Sequence, residues 1–447
     1  MLKVGFSRVD ITPPLGSPMA GYFQYREAEG ILDPIQLNAV CITDGETTCF
    51  VVTADILMTN EVFSTDVRAR ISERVGVPAE NVFLQGLHQH TSVYLGATKK
   101  VKGQNNSFYD ATYQDVLCRK YEDVCVMALS DAAPCSRVSI ASAQTAEPIS
   151  FIRRYRMKDG TIKTNPGCLN PDVVAPVGEA DNTVRLVKFE REGAKTVALV
   201  NFSTHPDVIG GKKFSADWPG WVRRLTEEDL ENVHCILVNG AQGDTNHINV
   251  NREPIAKKGD PDAAEKRYAY SRFMGRTITD TVLKIWDQTE TVDTDTITAG
   301  VEMVYIPTNT KYMERVEEFR EKKKLMDAGE IKLTLDEKGE VNRVASLREE
   351  SLFRKVPASM VAFGKVALIG FGGEPFTEYA TRARAAAPEL FVICGCCVNG
   401  GQGYLPTKSA FEEGGYEARS SRFTPCVAEK LPEAVAHLLA SHKSRLK

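Results

Sequence analysis

Only seven histidines occur in 447 residues, and four of them, His88, His90, His205 and His247, fall just past runs of apolar residues. NVFLQG precedes the first pair, TVALVNF precedes His205, and HCILVNG precedes the loop that carries His247. Glu374 follows another such run, VALIGF, after a Gly pair that allows close backbone approach. In α/β sheets the loops beyond the carboxyl ends of strands converge on one crevice, which is where ligands gather. An isolated H-x-H is weak evidence, because a pair of surface histidines is as common. On an extended chain, however, residues i and i+2 share a face, so His88 and His90 are expected to address one site. His88, His90, His205 and Glu374, past three such runs, are hard to explain as packing. They are the ligand types of catalytic zinc, which keeps one position open for water.

The elements that must hold these groups are legible as an alternation. Apolar runs at 49–55, 81–90, 196–207, 234–247, 366–374 and 391–404 read as strands buried on both faces. Amphipathic stretches at 60–76, 112–130, 218–231, 263–286, 377–387 and 425–443 read as helices. The expected class is α/β, with layered mixed sheets and flanking helices. The chain reads as a single domain, 1–447, without a flexible linker or a repeat. Residues 311–355, dense in Glu, Lys and Arg, read as a charged helical insertion. A solvated hairpin is favoured there over a lid or a subunit contact, because charge-rich helices usually present exposed faces.

Composition narrows the function classes. The net charge is −4, and no basic face of the kind a nucleic-acid binder shows is evident. The apolar runs are far shorter than the roughly 18 residues that span a bilayer, and the N-terminus lacks the apolar core of a secretory signal. A cytoplasmic protein with a small-molecule substrate, no nucleic-acid or membrane partner, and room for a homo-oligomer is expected. The eleven cysteines fit a reducing compartment, several lying in apolar runs such as FVICGCC. C-x-C-C at Cys394, Cys396 and Cys397 lacks zinc-pair spacing, so these are read as structural.

These residues also resemble a family. The opening VGFSRVDITPPLGSPMAGY is similar to the N-terminal pattern of the neutral, non-lysosomal ceramidases, zinc-dependent amidases that cleave an N-acyl bond. GLHQHTS resembles their His-Thr-His-Ser loop, with Gln89 in place of Thr. The resemblance implies zinc ligands at His88, at His205 in NFSTHPD, at Glu374 in GGEPFTEYATR and at Tyr404 in GYLPTKSAFEEGGYEA. It implies that His90 is not a ligand but either supports the ligands from behind or donates in the transition state, and that Tyr416, twelve residues after Tyr404 as in the family, faces the substrate. Arg153 in SFIRRYR best matches an arginine that grips the substrate carbonyl, although an ion-paired surface arginine is an equal reading of the residue alone. The fold implied is a ceramidase-like catalytic domain, without the C-terminal immunoglobulin-like domain of true ceramidases.

One loop departs from the family. GDTNHIN places Asn246 where ceramidases have a serine, and an asparagine cannot accept an acyl group. Asn246 is therefore expected to bind substrate, while Asp244 and His247 either bind substrate polar groups or orient a ligand histidine. Asp217 reads as a helix N-cap in preference to a catalytic group. Asp10 and Asp55 read as turn and strand-end polarity. The expected reaction is hydrolysis of a C–N amide bond in a small polar substrate by metal-activated water. His90, Tyr416 and Arg153 would stabilise the oxyanion. A metal-dependent esterase, a hydrolase of a sugar derivative, or an inactive binding protein would use the same site. Imidazole ligands also accept iron, nickel or copper.

Overall fold

The computed structural model describes residues 1–95, 111–294, 296–348 and 352–446. Two sheets lie face to face with helices outside both. The first runs in the order Val233–Asn239, Thr196–Phe202, Thr183–Arg191, Ala133–Gln144, Lys3–Asp10, Gln36–Thr43, Thr48–Ala54 and Val82–Gly86, with Glu290–Thr291 also on Ala133–Gln144. Its interior pairs are antiparallel, and the outermost pair on each side is parallel. The second runs Ile297–Pro307, Phe353–Phe363, Val366–Phe371 and Phe391–Gly395, the last two parallel. Layered mixed sheets with flanking helices are thus the observed architecture.

Runs of β-branched and aromatic residues make this layering possible, because strands such as Thr48–Ala54, Val233–Asn239 and Val366–Phe371 have apolar side chains for both faces. Between the sheets, Phe6, Val40, Val51, Phe83, Leu199, Ile236, Phe363, Leu368 and Ile393 form one core. On the outer faces, helices Glu61–Val75 and Ala111–Ser130 cover one half of the first sheet. Helices Asp217–Asp229 and Ala263–Ile285 cover the other half. Thr377–Ala386 and Val427–Lys443 cover the second sheet. Local chemistry sets the ends of Glu61–Val75: the Asn60 side chain accepts from Phe63 N–H, and Gly76 closes the helix at φ 70°. No helix among the described residues is long and apolar enough to cross a membrane.

Residues 311–355 form two helices, Val316–Asp327 and Leu335–Ala345, before the strand Phe353–Phe363; 349–351 lie outside the described residues. The expected solvated hairpin describes only its outer side, with exposed pairs such as Lys323–Asp327 and Lys324–Glu321. Its inner side has its own apolar core of Phe319, Val341, Val344 and Leu347. The buried Arg343 donates to the carbonyls of Arg419, Asn309 and Lys311, tying the hairpin to the helix Tyr416–Ser420. The sequence pattern hid this because a charged outer face and a short apolar inner stripe share the same helices.

Candidate metal centre

The carboxyl ends of the parallel strands meet at one end of the sandwich, and a buried amide network joins them there. Gln85 donates from Nε2 to the carbonyls of Asn239 and Cys396, linking the two sheets. Asn201 donates to Val238 O and Cys394 O, and Asn239 donates to Leu87 O. Gln85 and Asn201 sit within a few residues of His88 and His205, and Asn239 reaches the residue before His88, so the strand ends are fixed relative to one another.

His88 lies past the strand Val82–Gly86 with φ 79°, a backbone state that a non-glycine residue adopts rarely and mostly at functional sites. The alternation expected across His88 and His90 therefore does not hold, because the chain is not extended there. The two rings converge nonetheless, with centroids 5.2 Å apart, through that backbone reversal.

His88 Nε2 lies 3.2 Å and His205 Nε2 3.3 Å from the same atom, Glu374 Oε2. All three side chains are at most 5% exposed. Each imidazole is fixed through its other nitrogen: His88 Nδ1 bonds to Leu57 O at 3.0 Å, and His205 Nδ1 to Gln242 O at 2.8 Å. A ring donating from Nδ1 to a carbonyl presents the Nε2 lone pair inward, the usual arrangement of a metal-bound histidine. Ligand atoms of a tetrahedral centre with bonds of about 2.0–2.1 Å lie about 3.3–3.4 Å apart. The spacing found here fits such an ion. His90 offers a second donor set, since nitrogens of His88, His90 and His205 lie within 4.8 Å of one another. Burial and the neighbouring Arg153 push His205 down to about 3, so it is neutral at physiological pH. Burial works against the Glu374 charge, but the two histidines outweigh it and hold the carboxyl well below its ordinary range.

Arg153 lies under the site. Its Nη1 is 3.4 Å from His205 Nε2, its Nη2 donates to Gly243 O, and its Nε lies 2.8 Å from Glu417 Oε1. Its guanidinium also lies over the Tyr404 and Tyr416 rings, 5.1 and 6.0 Å from their centroids. The Tyr404 and Tyr416 rings meet edge to face at 5.4 Å. Tyr404 is set beside Glu374 because the two share a short parallel pairing, Glu374–Pro375 with Tyr404–Leu405. Burial raises both phenols, Tyr416 to about 12, so each keeps its proton at neutral pH.

A cavity of about 680 Å³ opens beside these groups, lined by His205, Arg153, Asn246, His247, Asp207 and Tyr22 among others. Asn246 points its amide along the wall, donating to Asn165 Oδ1 at 2.7 Å. His247 lies in the same wall, with a buried Nδ1 that has no partner among the described residues. Asp244 is turned elsewhere: its carboxylate accepts from Thr377 N–H and Oγ, bracing the helix after Glu374. Its backbone carbonyl, by contrast, accepts from Arg153 N–H.

Asp217 is not the N-cap, which is Ala216, but the first helical residue. Its buried carboxylate accepts from Val208 and Ile209 N–H and from Ser271, holding the loop after His205. Asp55 is more than strand-end polarity, since it makes a bidentate buried pair with Arg223 and accepts from Gln89. The thiol of Cys397 lies 3.6 Å from His88 Nδ1, on the side of the ring away from Glu374.

Sequence reasoning missed Asp207 and Glu417. Asp207 Oδ1 lies 3.6 Å from His90 Nδ1 and accepts from the Tyr22 hydroxyl. Glu417 is fully buried between Arg153, Arg154 and Thr164. The only hint of either was its position, two residues after His205 and one after Tyr416.

The fold is that of two solved ceramidases. A neutral ceramidase from Pseudomonas aeruginosa superposes with TM-score 0.74 at 16% identity, over 100% of this chain and 75% of that one. A ceramidase complexed with C2 gives TM-score 0.73 at 15% identity, over 100% and 76%. No family model matches the sequence, and no curated protein matches it significantly.

Proposed function

We propose that this protein is a zinc-dependent amidohydrolase that cleaves the C–N bond of a small polar N-acyl compound. One observation carries the reading: His88 Nε2 and His205 Nε2 meet on one oxygen of Glu374, with both Nδ1 atoms already committed to backbone carbonyls. His88, His205, Glu374 and Tyr404 would hold the ion, which as a Lewis acid brings water toward its nucleophilic form near neutral pH. The ceramidase-like fold supports amide hydrolysis as the reaction class.

The remaining work falls to groups of this chain. Water adds to the acyl carbon, the C–N bond breaks, and the nitrogen departs as an amine after taking a proton. Negative charge gathers on the carbonyl oxygen, where fixed donors contribute most. Arg153 stays charged beside Tyr404 and Glu417, although burial opposes it. Tyr416 retains its hydroxyl proton. Desolvation pushes His90 well below its ordinary value, so its neutral ring supplies one N–H. Asn246 and His247 bind substrate polar groups from the cavity wall. Covalent catalysis has no nucleophile in this loop, since the Thr245 hydroxyl is turned to Gln242 O.

The volume of about 680 Å³ suits a compound of drug-like size. Elemental analysis of the purified protein, followed by a panel of N-acyl amides, tests the proposal. Stoichiometric zinc with amide turnover is expected; a metal-free protein that binds N-acyl amides without cleaving them would replace it with a binding role.

A further inference from the structure

Gly339 occupies the middle of the helix Leu335–Ala345. Glycine there disfavours the helix relative to alanine. Its backbone does not need glycine, because its φ is not among the positive values. The Thr334–Glu337 capping box shows that the helix is otherwise well specified. The explanation lies across the interface. A Cβ at 339 would stand 2.1 Å from Ser420 Oγ and 3.0 and 3.1 Å from two atoms of the Tyr416 ring. Ser420 Oγ donates to the Tyr416 carbonyl at 2.6 Å, so all three atoms the Cβ would crowd belong to Tyr416 or to its setting.

We propose that Gly339 is a positioning residue for Tyr416, and that the charged hairpin 316–345 belongs to the catalytic apparatus as a clamp on that phenol. The Tyr416 ring is held on three sides. Gly339 gives one wall, the Tyr404 ring a second at 5.4 Å, and Phe23 a third, edge to face at 6.3 Å. Arg343, one turn beyond Gly339, fixes the hairpin to the same short helix through Arg419 O. Helix Tyr416–Ser420 has only five residues and no side-chain cap, so its geometry depends on such neighbours. The proposal rests on the reading that Tyr416 acts on the reacting amide, and the test separates the two.

3-Fluorotyrosine placed at position 416 reports the ring by 19F NMR, while N-acyl aminocoumarin amides report turnover. In Gly339→Ala the 19F line is expected to shift or broaden, and kcat to fall at least tenfold with KM within twofold. Metal content should stay near wild type, while the melting temperature falls modestly, because crowding of Ser420 and the ring outweighs the helix preference of alanine. Adding Ser420→Ala, which removes the closest clashing atom, should restore the line and most of kcat. Lys443→Ala, which breaks an ion pair with Glu389 on the outer helix Val427–Lys443, should change neither.

An unmoved line in Gly339→Ala overturns the clamp. A moved line with unchanged kcat upholds the clamp and overturns the catalytic role of Tyr416. If wild type turns over none of the amides, the 19F arm still decides the clamp. If Gly339→Ala does not fold, Arg343→Lys carries the test, because it loosens the hairpin without crowding the ring. A broadened line there supports the clamp and an unmoved one overturns it.

Discussion

Arg153 and Glu417 form an ion pair of 2.8 Å in which the arginine side chain is 7% exposed and the glutamate 0%. Glu417 also faces Arg154 at 3.3 Å, so one carboxylate serves two buried cations. Removing one partner of a buried pair typically costs about 3–5 kcal/mol, because a charge is left uncompensated. Glu417→Ala is therefore expected to lower stability by about that amount, measured by the denaturant midpoint. An unchanged midpoint would mean that water reaches both guanidinium groups.

Metal retention separates the two donor sets at the centre. His88→Ala, His205→Ala and Glu374→Ala should each lose the ion in elemental analysis. His90→Ala should keep it and lose about 10²–10³ in kcat, the usual contribution of one oxyanion donor. If His90→Ala loses the ion and Glu374→Ala keeps it, the three-histidine set is the correct one.

Steady-state kinetics should divide the cavity wall from the reacting centre. Asn246→Ala is expected mainly to raise KM, as for a contact equal in ground and transition states. Tyr416→Phe is expected mainly to lower kcat. Mass spectrometry of the enzyme during turnover should find no acyl group on any side chain, and a trapped one would overturn direct hydrolysis.

The His247 ring gives a pH signature. Burial pushes it down to about 4, against about 6.5 when unfolded. The unfolded chain takes up this proton first as the pH falls, so the stability contribution is complete above about 6.5 and lost progressively down to about 4. Relative to His247→Gln, wild type should lose on the order of 3 kcal/mol between pH 7 and pH 4. Asp217 and Asp244, pushed up to about 6 by burial, have the opposite sign and cancel in that difference. Parallel curves for the two proteins would show that His247 is solvated.

Much of this arrangement was legible because strand-end polarity stands out against apolar runs. The helix expected at 263–286 spans Ala263–Ile285, and the run at 196–207 contains the strand Thr196–Phe202 with His205 beyond it. What sequence could not carry was any relation set by a distant partner. Asp55 needed Arg223, and the reason for Gly339 lies in Tyr416 and Ser420. The reversal at His88 left no local trace, because nothing about a histidine announces a positive φ. Asp217 looked like a cap because the helix start was off by a single residue, an ordinary uncertainty at helix ends.

The amide of Gln85, bonded at once to Asn239 O and Cys396 O, has a consequence for how the site comes into being. His88 and His205 follow strands of the first sheet, and Glu374 follows Val366–Phe371 of the second. Neither sheet by itself carries a complete ligand set, so the centre is a product of docking, one of the most non-local and therefore slowest steps in assembling such a topology. An ion that binds only the docked sandwich stabilises that form by mass action and gives no advantage to half-assembled chains. Under the proposed metal-binding role, uptake of the ion would therefore follow docking of the two sheets.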